Sequence, residues 1–300
     1  VSEILSRVAP GGVSVEAPFV LVAEGLAATV DPDRPAVVRA YLPGADAAAA
    51  ERAIDDTRVR LGHLQAFGLR AIGDLRVQPV HEEDWAAAWK RHFPVLRVGR
   101  RIVIRPTWRR HRPAPDDVVL ALDPGMAFGT GLHPTTRLCL AGIERWAEAG
   151  LVAAARALDV GCGSGILSIA AARLGAASVT AIDTDLIAVE ATVANAARNR
   201  LVGRIRARRG TVPTPGGPFD LVMANLIASV LVDLALALAD EIRPGDGRPG
   251  SGGRLLASGI VVEREPEVRR AFAAAGLRVV GREQEGDWVA LDLERPEAAA

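Results

Sequence analysis

The sequence predicts an α/β protein: a doubly wound, mostly parallel sheet of seven strands, preceded by a small α+β domain. Three observations lead there. From Val118 onward, short apolar runs alternate with helical segments. A glycine-rich turn, residues 159–165 (DVGCGSG), joins one such run to the helix after it. The 300 residues are 49% apolar, enough for a sizeable core and room for two domains.

The elements follow in order. Residues 12–22 and 36–42 are β-rich, and Pro43-Gly44 closes the second. Asp46 is placed to cap a helix running to about Ala66, with Ala50, Ile54, Leu61 and Leu64 on its apolar face. Residues 75–80 read as a short strand. Trp85 and Trp89 fall on one helical face of residues 81–93, where large aromatics are expected to pack. A helix is expected over 134–147. Further on, strands are expected at 155–160, 178–182, 205–208, 219–224 and 254–258. Helices are expected at 165–174, 186–199, 227–241 and 263–275. Two strands, 277–283 and 288–293, close the chain with no helix between them, as an antiparallel hairpin at the sheet edge. Such alternation builds a Rossmann-like sheet covered on both faces. Residues 245–253 (GDGRPGSGG) read as a surface loop, and residues 294–300 as a loose tail.

Charge is segregated. The 36 basic and 36 acidic residues cancel, yet residues 67–115 carry a net +7 between two mildly acidic parts. The basic stretch is densest from Lys90 to Arg112, with nine positive side chains and no acid. Neutrality overall argues against a general nucleic-acid binder. Lys90 is the one lysine, and no glycine loop ends in Gly-Lys-Ser/Thr, so a P-loop is excluded. Two cysteines and the absence of a His-Glu-x-x-His pattern exclude a disulfide scaffold, a cysteine-rich zinc site and a zincin; no metal site is expected. No apolar run long enough to span a membrane and no signal peptide is visible, so a cytoplasmic protein is expected.

The chemistry centres on the glycine turn. Gly161, Gly163 and Gly165 permit tight turning and close backbone approach to a ligand. Their G-x-G-x-G spacing departs from the dinucleotide G-x-G-x-x-G and is closer to the loop of S-adenosylmethionine-dependent methyltransferases. Asp183, 22 residues after Gly161, ends the next strand, where an acid can accept both hydroxyls of an adenosine ribose. Asp185 is the alternative ribose acceptor, or a helix cap. Residues 123–136 (DPGMAFGTGLHPTT) form a glycine-rich loop leading into a helix whose first turn carries Thr135 and Thr136, placed to hold a ligand carboxylate. His133 is a turn or cap residue, or else a base. Asn225 ends the fourth strand of the sheet, where its side-chain oxygen can accept from a target amine. Leu226 and Ile227 follow it, so a flipped nucleobase lacks an aromatic platform.

These motifs, with DWAAAWKRHFPVLRVGRRIVIRPTW at residues 84–108, AIDTD and ANLIA, resemble the ribosomal protein L11 methyltransferase family (PrmA) over about residues 84–293. The resemblance implies a class I S-adenosylmethionine-dependent protein-lysine N-methyltransferase. Its cofactor contacts would be Thr136, Gly161, Gly163, Asp183 and Asn225, with Asn225 also catalytic. It implies a substrate-recognition domain at 1–80, a basic linker at 81–115 and the methyltransferase domain at 116–295. The substrate would be the amino groups, lysine side chains or N-terminal α-amine, of a large-subunit ribosomal protein. A monomer is expected, with no nucleic-acid readout and no membrane association. Another protein's lysines, or a small molecule, are the alternative acceptors. The chain starts at what resembles the end of the family's first helix, so an N-terminally truncated small domain is expected.

Overall fold

The computed structural model describes residues 5, 13–16, 19–22, 27–30, 37–40, 42, 47–66, 73–77, 94–123, 131, 133–246 and 251–296. The chain divides into two compact units, residues 1–85 and 86–300.

In the first unit, β1 (Val13–Glu16), β2 (Phe19–Val22), β3 (Ala27–Val30) and β4 (Val37–Ala40) precede α1 (Ala47–Ala66). β1 pairs antiparallel with β4, and β2 antiparallel with β3. The β-rich stretch expected at 12–22 is thus two strands with different partners, and β3 was not foreseen. Leu75–Val77 is not in a strand, contrary to expectation; it has no ladder partner among the described residues. The helix with Trp85 and Trp89 lies outside the described residues.

The second unit opens with a three-stranded sheet of β5 (Leu96–Val98), β6 (Ile102–Pro106) and β7 (Val118–Leu122). β5 runs antiparallel and β7 parallel to β6. Arginines surround these strands in sequence, but Ile102, Val103 and Ile104 are buried. The main sheet then unfolds in the expected rhythm: α2 (Pro134–Glu148), β8 (Arg156–Val160), α3 (Ile166–Arg173), β9 (Ser178–Asp183), α4 (Leu186–Arg198), β10 (Ile205–Arg209), β11 (Leu221–Asn225), α5 (Ala228–Asp233), α6 (Ala235–Asp240), β12 (Arg254–Val261), α7 (Glu265–Ala274), β13 (Arg278–Glu285) and β14 (Trp288–Glu294). The single helix expected at 227–241 is two short ones, interrupted at Leu234 (φ −95°, ψ 4°). No glycine or proline marks that break in the sequence.

The seven strands lie in the order β10-β9-β8-β11-β12-β14-β13. Only β14 runs against the others, pairing antiparallel with both β12 and β13, and the β13–β14 hairpin lies at the edge as expected. Alternate residues face opposite layers, as the strand period of two requires. Ala157, Leu221 and Met223 join the core beneath α2 and α3; Leu158, Val160, Val222 and Ala224 join the core beneath α5, α6 and α7. Strands before β11 are added toward one edge and strands after it toward the other. The direction reverses between β8 and β11, and a crevice opens outside the carboxyl ends of strands at such a reversal.

Candidate active site

That crevice receives Gly161 from the end of β8 and Asn225 from the end of β11. The glycine turn is shaped by its neighbours. Gly161 N and Cys162 N both donate to Ile182 O, at 2.9 and 3.1 Å, tying the turn to β9. Gly161, Gly163 and Gly165 all lie at positive φ, 72°, 53° and 79°, a region costly for any residue with a Cβ. A Cβ at Gly161 would also run into the Leu226 side chain across the crevice.

Asp183 ends β9 half-buried. Its Oδ2 accepts from Gly163 N and its Oδ1 from Asp185 N, both at 3.0 Å. Each carboxylate oxygen keeps a second lone pair for a ligand hydroxyl. Asp185 Oδ1 accepts from Ile187 N at 2.9 Å as the N-cap of α4. Of the two alternatives for Asp185, the geometry is that of the cap.

Thr136 is buried in the first turn of α2, next to the N-cap residue His133 and behind Pro134. Asn225 Nδ2 donates to Thr136 Oγ1 at 3.4 Å. With the NH2 turned to Thr136, Oδ1 is the Asn225 atom that can accept from an amine. His133 Nδ1 accepts from Thr135 N at 3.4 Å and lies 2.8 Å from Thr135 Oγ1. Burial, helped by the Arg137 charge, holds its pKa below the usual value, and its ring stands edge-on to Trp288 at 4.7 Å. A cap with its lone pair committed is poorly set up to be a base.

One cleft of about 330 Å³ is lined by all five residues expected to contact the cofactor, Thr136, Gly161, Gly163, Asp183 and Asn225, whereas His133, Thr135, Gly165 and Asp185 do not line it. Apolar walls come from Val160, Ile166, Leu167, Leu226, Val230 and Leu234. Sequence reasoning missed Thr184, Gly210 and Thr211, which also line it. Gly210 and Thr211 directly follow β10, and their place at the carboxyl end of a strand was the available signal. Among the described residues, Asp183 is the one charged side chain in the lining, and no arginine reaches it. Such a cleft suits an apolar, hydroxyl-bearing, cationic ligand better than a pyrophosphate. Most of the 123–136 motif, residues 124–130 and 132, lies outside the described residues.

Beneath the turn, Asp159 is fully buried. Its Oδ2 accepts from Ser168 N at 3.0 Å and Ser168 Oγ at 2.6 Å, while Oδ1 has no partner among the described residues. Burial pushes its carboxyl up to about 6, against the pull of the Ser168 bonds and with a push from Asp183. Among the described residues there is no cluster suited to a metal ion and no helix long and apolar enough to cross a membrane.

The sequence is similar to known proteins across nearly its full length. The family model described as "Ribosomal protein L11 methyltransferase (PrmA)" matches residues 1–296. The ribosomal protein L11 methyltransferase of Chloroflexus aurantiacus is 45% identical over 325 residues, spanning 99% of this chain and 94% of that one. That of Herpetosiphon aurantiacus is 42% identical, spanning 95% and 91%. The crystal structure of the ribosomal protein L11 methylase from Lactobacillus delbrueckii subsp. bulgaricus superposes with a TM-score of 0.57 at 33% identity, covering 68% of this chain and 99% of that one. With a switch-point cleft of the geometry above and matches of this extent, the chain belongs to the ribosomal protein L11 methyltransferase family of protein methyltransferases.

Proposed function

We propose that this chain transfers methyl groups from S-adenosylmethionine to amino groups of ribosomal protein L11, on lysine side chains, the N-terminal α-amine or both, as a cytoplasmic enzyme. The observation that carries the reading is the convergence of Thr136, Gly161, Gly163, Asp183 and Asn225 on one cleft whose single charge, among the described residues, is an acid. The cleft fits that cofactor on its own features. Gly161 lets the turn and the Leu226 side chain approach one another at the cleft wall, and Asp183 offers lone pairs at a strand end. Thr184 and Thr211 add hydroxyls to apolar walls.

When bound, the cofactor supplies a methyl group already activated by the positive charge on its sulfur. The protein's tasks are alignment and delivery of a neutral amine. The Gly161–Gly163 backbone and Asp183 fix the ligand's position. Asn225 Oδ1 accepts from the incoming amine and aims its lone pair, while Thr136 holds the Asn225 NH2. A free lysine near 10.4 would need roughly 4–5 kcal/mol to lose its proton at pH 7, an α-amine near 7.7–8.0 only about 1 kcal/mol. The apolar walls from Leu226, Val230 and Leu234 lower that cost by desolvating the ammonium. Labelled-methyl transfer to purified L11, with the modified residues mapped, tests the reading. Label on lysine or α-amine nitrogen is expected; label in RNA or none on L11 would overturn it.

A further inference from the structure

Two polar side chains of α4 and that of its C-cap residue are buried where an amphipathic helix normally places apolar ones. Thr192, Asn195 and Asn199 are buried, at 0%, 0% and 2% exposure, and follow one another at i+3 and i+4. Thr192 Oγ1 donates to Gly163 O at 3.0 Å. Asn195 Nδ2 donates to Ser164 O at 2.9 Å and to Asp123 O at 3.2 Å, while its Oδ1 accepts from Asp123 N at 3.0 Å. Asn199 exchanges a matching pair with Ala121, accepting from its N at 3.0 Å and donating to its O at 2.7 Å. The two asparagines thus act as a surrogate strand along the edge of β7. They differ in the other donor hydrogen: Asn195 gives it to Ser164 O of the glycine turn, Asn199 to Asn195 O within the helix at 2.8 Å.

We infer that Asn195 is a positioning residue for the cofactor, locking the Ser164 carbonyl of the glycine turn to Asp123 so that Gly163 stays presented to the cleft. Every polar atom of the Asn195 side chain is used in this tie. Ser164 O is held by Asn195 and Gly163 O by Thr192, so two successive carbonyls of the turn are fixed from α4. The Gly163 amide then meets Asp183, which closes a ring from α4 through the turn to the end of β9. Asn195 touches no ligand in this arrangement; it acts through Ser164 and Asp123. Asn199, doing the same work on β7 without reaching the turn, is its internal control.

The inference rests on the cleft being the S-adenosylmethionine site, so calorimetric binding of S-adenosylmethionine by the wild-type protein comes first. If the wild type does not bind, the functional reading fails. If it binds, N195A and N199A are compared for cofactor Kd, melting temperature and kcat at saturating cofactor. Both variants are expected to melt lower. N195A raises Kd about tenfold, as for a lost buried hydrogen bond, with kcat within about threefold of wild type. N199A leaves Kd within about twofold. N195S, which keeps one short donor, serves should N195A fail to fold, and is expected to lie between the two. Equal Kd values for the Asn195 and Asn199 variants, or loss of kcat without loss of affinity, would overturn the role. Failure of both Asn195 variants to fold would also overturn it, since the residue would then be structural.

Discussion

Asp183 Oδ2 accepts the Gly163 amide at 3.0 Å, so the acid at the end of β9 and the turn after β8 are one construction. Removing the carboxylate takes away a ligand acceptor and loosens the turn together. Asp183→Ala is expected to weaken S-adenosylmethionine binding by about 1.5–3 kcal/mol, the range for hydrogen bonds to a charged group. Asp185→Ala removes the α4 cap instead and should cost about 0.5–2 kcal/mol of stability with the cofactor Kd unchanged. Calorimetry and denaturant melts on the two variants separate these outcomes; a large Kd change in Asp185→Ala would move the ribose contact to that residue.

Asn225 meets the cleft through its side chain and leans on Thr136. Asn225→Ala should lower kcat by about a hundredfold or more, as expected when an orienting group for the reacting atom is lost, with a much smaller change in cofactor Kd. Thr136→Val should lower kcat less, because Asn225 remains but can rotate. Single-turnover methylation of L11 measures both. Near wild-type rates for Asn225→Ala would remove it from the catalytic centre.

Much of this site is visible in the sequence because strand ends announce themselves. The turn of glycines after residues 155–160, the acid closing 178–182 and the asparagine closing 219–224 each sit where an apolar run stops, and all three line the cleft. What was not visible has physical causes. β5 and β6 hide among Arg97, Arg100, Arg101 and Arg105, whose charge reads as solvated surface. Arg97 in fact pairs with Asp117 at 2.6 Å, and Glu144 accepts from the Arg100 and Arg101 amides at 2.8 and 2.6 Å. Asn195 and Asn199 read as ordinary polar positions of a helix, because the turn and strand backbone groups they hold, at Ser164, Asp123 and Ala121, lie 31, 72 and 78 residues away. No local pattern encodes such a pairing.

Gly161 carries two separable constraints, its φ of 72° and the nearness of Leu226. Gly150 shares the first, at φ 78°, and has open space where a Cβ would go. Gly150→Ala should therefore cost only the backbone penalty of about 1–2 kcal/mol, with binding intact. Gly161→Ala should cost at least as much and also narrow the cleft between the turn and Leu226, so cofactor affinity falls. Equal binding by the two variants would show that Gly161 is needed for its backbone alone.

Asp159 makes a prediction about pH. Burial raises its carboxyl from 3.8 to about 6 in the folded protein. The folded state then holds more protons than the unfolded state between those values, so this group's contribution to stability is fully present below about pH 4. It is lost as pH rises through about 6. The total is on the order of 3 kcal/mol for a shift of this size. Asp159→Asn keeps the acceptor for Ser168 and puts an uncharged NH2 in place of the Oδ1 that has no partner among the described residues. The stability of the variant relative to the wild type should rise by on the order of 3 kcal/mol from pH 4 to pH 7, because the NH2 left without an acceptor costs the same at both. Urea unfolding of both proteins from pH 4 to 7 reads the difference directly, with other titrating groups cancelling between them. Parallel stability curves would mean that Asp159 is ionised throughout, with its Oδ1 solvated in the folded state.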